Sequence, residues 1–88
     1  MITNDFIILA SQGIHARPAT TLIRLVKNFK SAVSLKRGDK TVRLNSMLNI
    51  LSLTIKGGET VTVLVEGEDE IEAAQAIGLF FTEQLKDL

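Results

Sequence analysis

Residues 12–20 read QGIHARPAT and hold the only histidine and the only proline of the 88-residue chain, with an arginine between them. A neutral imidazole offers a nitrogen nucleophile near neutral pH. From Ala16 the apolar residues Ala19, Leu22, Ile23 and Val26 recur at helical spacing, with Arg24 and Lys27 on the polar side; this predicts an amphipathic helix ending near Asn28. His15 therefore stands where the chain enters a helix. Pro18 is tolerated in that first turn because the amide it lacks has no helical partner there. The amides of residues 16, 17 and 19 point outward, and the aligned peptide dipoles favour an anion and disfavour imidazolium. Arg17 adds a guanidinium suited to phosphate oxygens. A nucleophilic nitrogen, a helix start and an arginine together make a phosphoryl acceptor. A histidine that only caps the helix, or lies solvated in the loop, is the alternative these residues leave open.

A second candidate is Ser46, in the segment NSMLNILSL. Asn45 and Ser46 are both good N-cap types, which predicts a short helix of about two turns after them. Capping alone explains the serine and is worth about 1 kcal/mol. A phosphate on Ser46 would also meet a helix N-terminus, so modification there is compatible with the helix. Met47, Leu48 and Leu51 make the segment too apolar for a fully solvated element. One of them must face the core, with Ile50 and Leu53, while the others form an exposed patch.

The elements that must position these residues follow from pattern. Residues 1–10 end in the run Phe6-Ile7-Ile8-Leu9-Ala10, a first strand that stops at Ser11-Gln12-Gly13. Val33 and Leu35 on one side of Gly38-Asp39, with Val42 and Leu44 on the other, predict a β-hairpin. That turn also accounts for the RGD at 37–39. After the turn KGGE, Val61, Val63 and Val65 alternate with Thr60, Thr62 and Leu64 in a fourth strand. The last segment places Ile71, Ala74, Gly78, Phe81 and Leu85 on one helical face, with carboxylates at its start and Lys86 near its end, an order that suits the helix dipole. The expected order is β-α-β-β-α-β-α: one α+β domain over residues 1–88, a four-stranded antiparallel sheet with helices on one face.

Composition narrows the function. Ten basic and ten acidic residues cancel, and there is no Trp or Tyr for base stacking, so nucleic-acid binding is not expected. With no cysteine and one histidine, a metal centre of the usual nitrogen and sulfur kind is not expected either. No apolar run approaches the roughly 18 residues of a membrane span. The start MITNDFII lacks the basic and apolar regions of a secretory signal, so a cytoplasmic location is the default. There is no nucleophile-elbow motif and no Gly-rich phosphate loop beyond Gly57-Gly58, which makes an enzyme in its own right the weakest class.

The motif GIHARPAT, together with the length and element order of the whole chain, resembles the HPr family, the histidine-containing phosphocarriers of the bacterial sugar phosphotransferase system. The resemblance implies an open-faced β-sandwich with sheet order 1-4-2-3. It also implies a carrier that accepts phosphate from Enzyme I and passes it to sugar-specific IIA proteins, with no cofactor. His15 would be phosphorylated on Nδ1, with Arg17 as charge partner and Pro18 as the rigid helix start. Residues matching Thr20, Arg24, Lys27, Met47, Leu48 and Leu51 would meet partner proteins. In Gram-positive relatives a serine matching Ser46 is phosphorylated by HPr kinase/phosphorylase, and the product acts with the catabolite control transcription factor. This sequence departs from that pattern: Asn45 stands where lysine is common, Asn49 where glycine is common, and Thr20 where a nonpolar residue is common. The alternative function is a regulatory module of catabolite repression, or a specialised paralogous carrier.

Overall fold

The computed structural model describes all of residues 1–88. Strand β1 spans Ile2–Ile7, helix α1 Ala16–Val26, β2 Ala32–Arg37, β3 Lys40–Arg43, α2 Met47–Leu51, β4 Thr60–Glu66 and α3 Glu70–Leu79. The chain then passes through a π turn, Phe80–Gln84, and a 3-10 turn, Leu85–Asp87. The strands form one sheet in the order β1-β4-β2-β3, with every neighbouring pair antiparallel.

β4 is central because its alternation suits a strand paired on both sides. Val61, Val63 and Val65 are buried toward the helices, and Val63 and Val65 lie opposite Leu35 and Val33. On the other side Phe6 pairs with Val61 and Ile2 with Val65. The helices add Ala19, Leu22, Ile50 and Ile77 to the same core, and Phe80 and Phe81 follow from the π turn. Phe81 stacks on Phe6 at 4.9 Å and meets Phe80 edge-on at 5.2 Å. The outer face carries no helix: Asp5, Thr62 and Lys36 lie side by side across it, and the Thr62 hydroxyl donates to Asp5 at 2.6 Å. No helix is long and apolar enough to cross a membrane.

The first strand lies earlier than the apolar run 6–10 suggests. Its extent is set by the ladder that β4 offers, which ends at Ile7 opposite Thr60. Beyond it Ile8 and Ala10 are buried, whereas Ile7 and Leu9 are exposed. Helix α1 ends at Val26, slightly before Asn28, and α2 has five residues, short of two full turns. Val42 and Leu44 face inward as expected, Leu44 closing the hairpin through its N–H to Val33 O at 2.9 Å. The final segment departs most. Ile71 is 60% exposed because it lies six residues before Ile77, about 120° around the helix, and Ala73, Ala74 and Ile77 take the inward positions.

The carboxylate at the start of α3 serves the neighbouring loop. Asp69 makes no side-chain bond to its own helix. It accepts the Ser31 hydroxyl and the N–H groups of Lys30 and Ser31 at 2.8 and 2.9 Å, tying the loop after α1 to the turn before α3. The Ser31 hydroxyl first, then the amides, hold the Asp69 carboxyl below its usual range. Its stabilising effect is therefore complete above the ordinary aspartate value near ~3.9 and is lost as pH falls through the lower folded-state value. The urea midpoint is expected to fall on acidification from pH 5 to pH 3. Asp69→Asn should lower the midpoint at pH 7 and flatten part of that acid-side loss; an unchanged acid profile would contradict this role.

Candidate functional site

His15 is the N-cap of α1, and it caps with backbone alone. Its carbonyl accepts the Ala19 N–H at 3.0 Å, while its side chain makes no capping bond. The half-buried ring is left uncommitted. Of the three amides expected to point outward, that of Ala19 is thus consumed. Those of Ala16 and Arg17 remain at the helix start, and Pro18, buried in the third helical position, has none. Two donors and the helix dipole face an approaching anion there, one donor fewer than the sequence suggested.

The loop that delivers His15 is held by a second loop. Ile14 donates to Ile55 O at 3.1 Å, Gly58 donates to Ile8 O at 2.9 Å, and Ile8 donates to Glu59 O at 2.8 Å. The two backbones lie so close that a Cβ on Gly13 would collide with the Ile55 carbonyl, and Gly13 has φ +71°. A Cβ on Gly57 would stand 2.6 Å from Ala10 O and 2.7 Å from Ser11 O. The second loop is itself anchored. The Glu59 carboxylate accepts the Lys56 N–H at 2.6 Å and pairs with the Arg37 guanidinium at 2.6 Å, while Arg37 Nη1 donates to Leu53 O at 3.1 Å. Arg37 holds the Glu59 carboxyl below its usual range, with the Lys56 amide adding to the effect. The arginine of the RGD triplet is therefore a structural brace as well as the end of a hairpin strand.

His15 and Arg17 open onto a shallow cleft of about 310 Å³ lined also by Ala10, Ser11, Gln12, Lys86 and Leu88. None of these five is legible as a site residue in the sequence. Ser11 and Gln12 looked only like a strand stop, and Lys86 only like a complement to a helix dipole.

The remaining candidates lie outside this cleft. Thr20 has its hydroxyl 2.9 Å from Ala16 O and 3.3 Å from Met47 Sδ, and its single proton serves one acceptor at a time. This contact joins α1 to α2. Met47 and Leu51 are half-buried against the core, Leu48 is 80% exposed, and Ile50 and Leu53 are buried. Arg24 and Lys27 are exposed and form no ion pair. Ser46 caps α2, its hydroxyl accepting the Asn49 N–H at 3.2 Å. The Asn49 side chain in turn donates to Asn45 Oδ1 at 3.0 Å and to Arg43 O at 3.3 Å, so the two unusual asparagines bond to each other.

The chain is thus an open-faced sandwich that presents an uncommitted imidazole at a helix start. A family model described as "PTS HPr component phosphorylation site" matches residues 2–83, and the chain belongs to this HPr family. The phosphocarrier protein HPr of Lysinibacillus sphaericus is 39% identical over 83 residues, 94% of either chain. Among solved structures, HPr from Thermoanaerobacter tengcongensis superimposes with a TM-score of 0.91 at 30% identity, over 100% of this chain and 98% of that one. The Bacillus subtilis catabolite repression protein Crh, described as a domain-swapped dimer, is similar with a TM-score of 0.77 at 29% identity, over 97% and 98% of the two chains.

The loop contact yields a direct test. Gly57→Ala forces the two loops apart and is expected to destabilise the fold by about 1–3 kcal/mol, as overpacking does. It should also shift the His15 ring resonances in an NMR spectrum. Wild-type stability with unmoved ring resonances would show that the glycine does not position the site.

Proposed function

We propose that this protein is a cytoplasmic phosphoryl relay, accepting a phosphoryl group from phospho-Enzyme I on His15 and passing it to sugar-specific IIA proteins. The observation that carries this reading is the uncommitted imidazole: the helix takes its cap from the His15 carbonyl, and the ring faces an open cleft with Arg17. The Nδ1 lone pair forms a bond to phosphorus as the bond between phosphorus and the donor's leaving atom breaks, its electron pair staying with the donor. The ring becomes a phosphoimidazolium and keeps the proton on Nε2. Arg17 and the amides of Ala16 and Arg17 hold the phosphoryl oxygens, and Pro18 fixes the turn that presents them. In the next transfer the same bond breaks toward an acceptor on the IIA protein, and the lone pair returns to Nδ1. Since the cleft is shallow and open, the reacting partner itself has to exclude water.

Encounter is assigned to the surface beside the cleft. Arg24 and Lys27 meet acidic partner surfaces and raise the association rate, while Thr20, Met47, Leu48 and Leu51 supply an adaptable apolar contact. A second reading, as a regulatory module, rests on Ser46 and on the likeness to Crh. Here HPr kinase/phosphorylase modifies Ser46, and the product acts with the catabolite control transcription factor. Both readings are compatible in one chain.

Incubation with phosphoenolpyruvate and Enzyme I should give an acid-labile, base-stable phosphate that is absent from His15→Ala. Arg17→Ala should slow transfer roughly 10²-fold with the fold intact. No labile phosphate on the wild type, or its persistence in His15→Ala, rejects the relay. With ATP and the serine kinase, an acid-stable phosphate that is lost in Ser46→Ala supports the second reading; none rejects it.

A further inference from the structure

We infer that Lys86 is a second cationic hold on the phosphoryl group of His15, supplied by the C-terminal turn. This rests on the relay reading above and adds a residue to it. Lys86 lines the cleft with His15 and Arg17, and no acidic side chain lines it with them. Its ammonium makes no ion pair or hydrogen bond elsewhere in the protein, in contrast to Lys30, which pairs with Glu68 at 3.0 Å, and Lys40, which donates to Ser52 O. An anion in the cleft is its natural counter-charge.

The backbone explains how a residue so far along the chain reaches the site. In an uninterrupted α-helix Lys86, nine residues after buried Ile77, would stand about 180° around the axis from it and face away from the core. The helix is interrupted. The Leu85 N–H bonds to Phe80 O in a π turn, which rotates the chain less per residue than an α-helix. The 3-10 turn follows, with Leu88 N–H donating to Leu85 O at 3.1 Å. Leu85 is fully buried and Leu88 is packed against the core, so the turn is pinned on both sides of Lys86. A break of this kind recurs at functional sites, and here the lysine that follows it lies on the wall of the cleft that His15 and Arg17 share.

The test charges His15 with phosphoramidate, whose P–N bond breaks to release ammonia as the bond to the ring forms, so it does not depend on Enzyme I. The titration of the phosphorylated imidazole is then followed through its 31P resonance against pH. A nearby ammonium disfavours the cationic ring, so Lys86→Gln should raise this titration midpoint by about half a unit, and Lys86→Arg should restore it. With Enzyme I, the equilibrium should shift against the Lys86→Gln carrier by the corresponding ~3-fold. The urea midpoint of the unphosphorylated variant should stay at the wild-type value. A midpoint and an equilibrium both unchanged in Lys86→Gln overturn the inference and leave the relay standing. A wild type that acquires no phosphate on His15 from either donor overturns both.

Discussion

Two stretches of backbone come into contact where the loop after β1 crosses the loop before β4, and the site depends on that contact. Backbone this close leaves no room for side chains, so Gly13 and Gly57 stand where any Cβ would collide with a carbonyl oxygen. The hydrogen bonds that join the two loops then fix Ile14, and Ile14 fixes the residue after it. On the far side, Arg37 and Glu59 keep the second loop from drifting. Thus an ion pair between the β2 end and the β4 approach controls the placement of an imidazole it does not touch.

Much of this was visible in the order of residues, for reasons that can be named. The alternation in β4 and the spacing in α1 are local signals that tertiary packing reinforces, so both elements fall where their patterns put them. The first strand and the last helix were harder to place. The end of β1 depends on its partner's length, and no property of the run 6–10 reports that length. The break after Leu79 coincides with two consecutive buried aromatics, Phe81 stacked on Phe6 and Phe80 edge-on to Phe81, a pairing that helical periodicity does not express. His15 and Arg17 could be chosen from sequence because their chemistry and their place at a helix start coincide. Lys86 carries no such signal: its place on the cleft wall depends on a chain that has left the regular helix. The coupling of Asp69 to Ser31 has no local signal for a related reason: a carboxylate at a helix start reads as serving that helix, whereas here it serves a loop thirty-eight residues earlier.

Charge is arranged locally within a neutral chain. The outer sheet face and the acidic start of α3 are largely satisfied by their own neighbours, through Asp5 with Thr62 and Asp69 with Ser31. The cations at the start of α1 and at the C-terminal turn have no such partners. A molecule with no net charge can in this way keep two unpaired cationic side chains beside its only imidazole.

Capping by a carbonyl rather than a ring has a consequence for the whole domain. The bond from Ala19 N–H to His15 O is made by backbone atoms alone and draws on no side-chain atom of that residue. The helix start and the imidazole are thus separable: the backbone of residue 15 holds the helix, and its side chain takes no part in holding it.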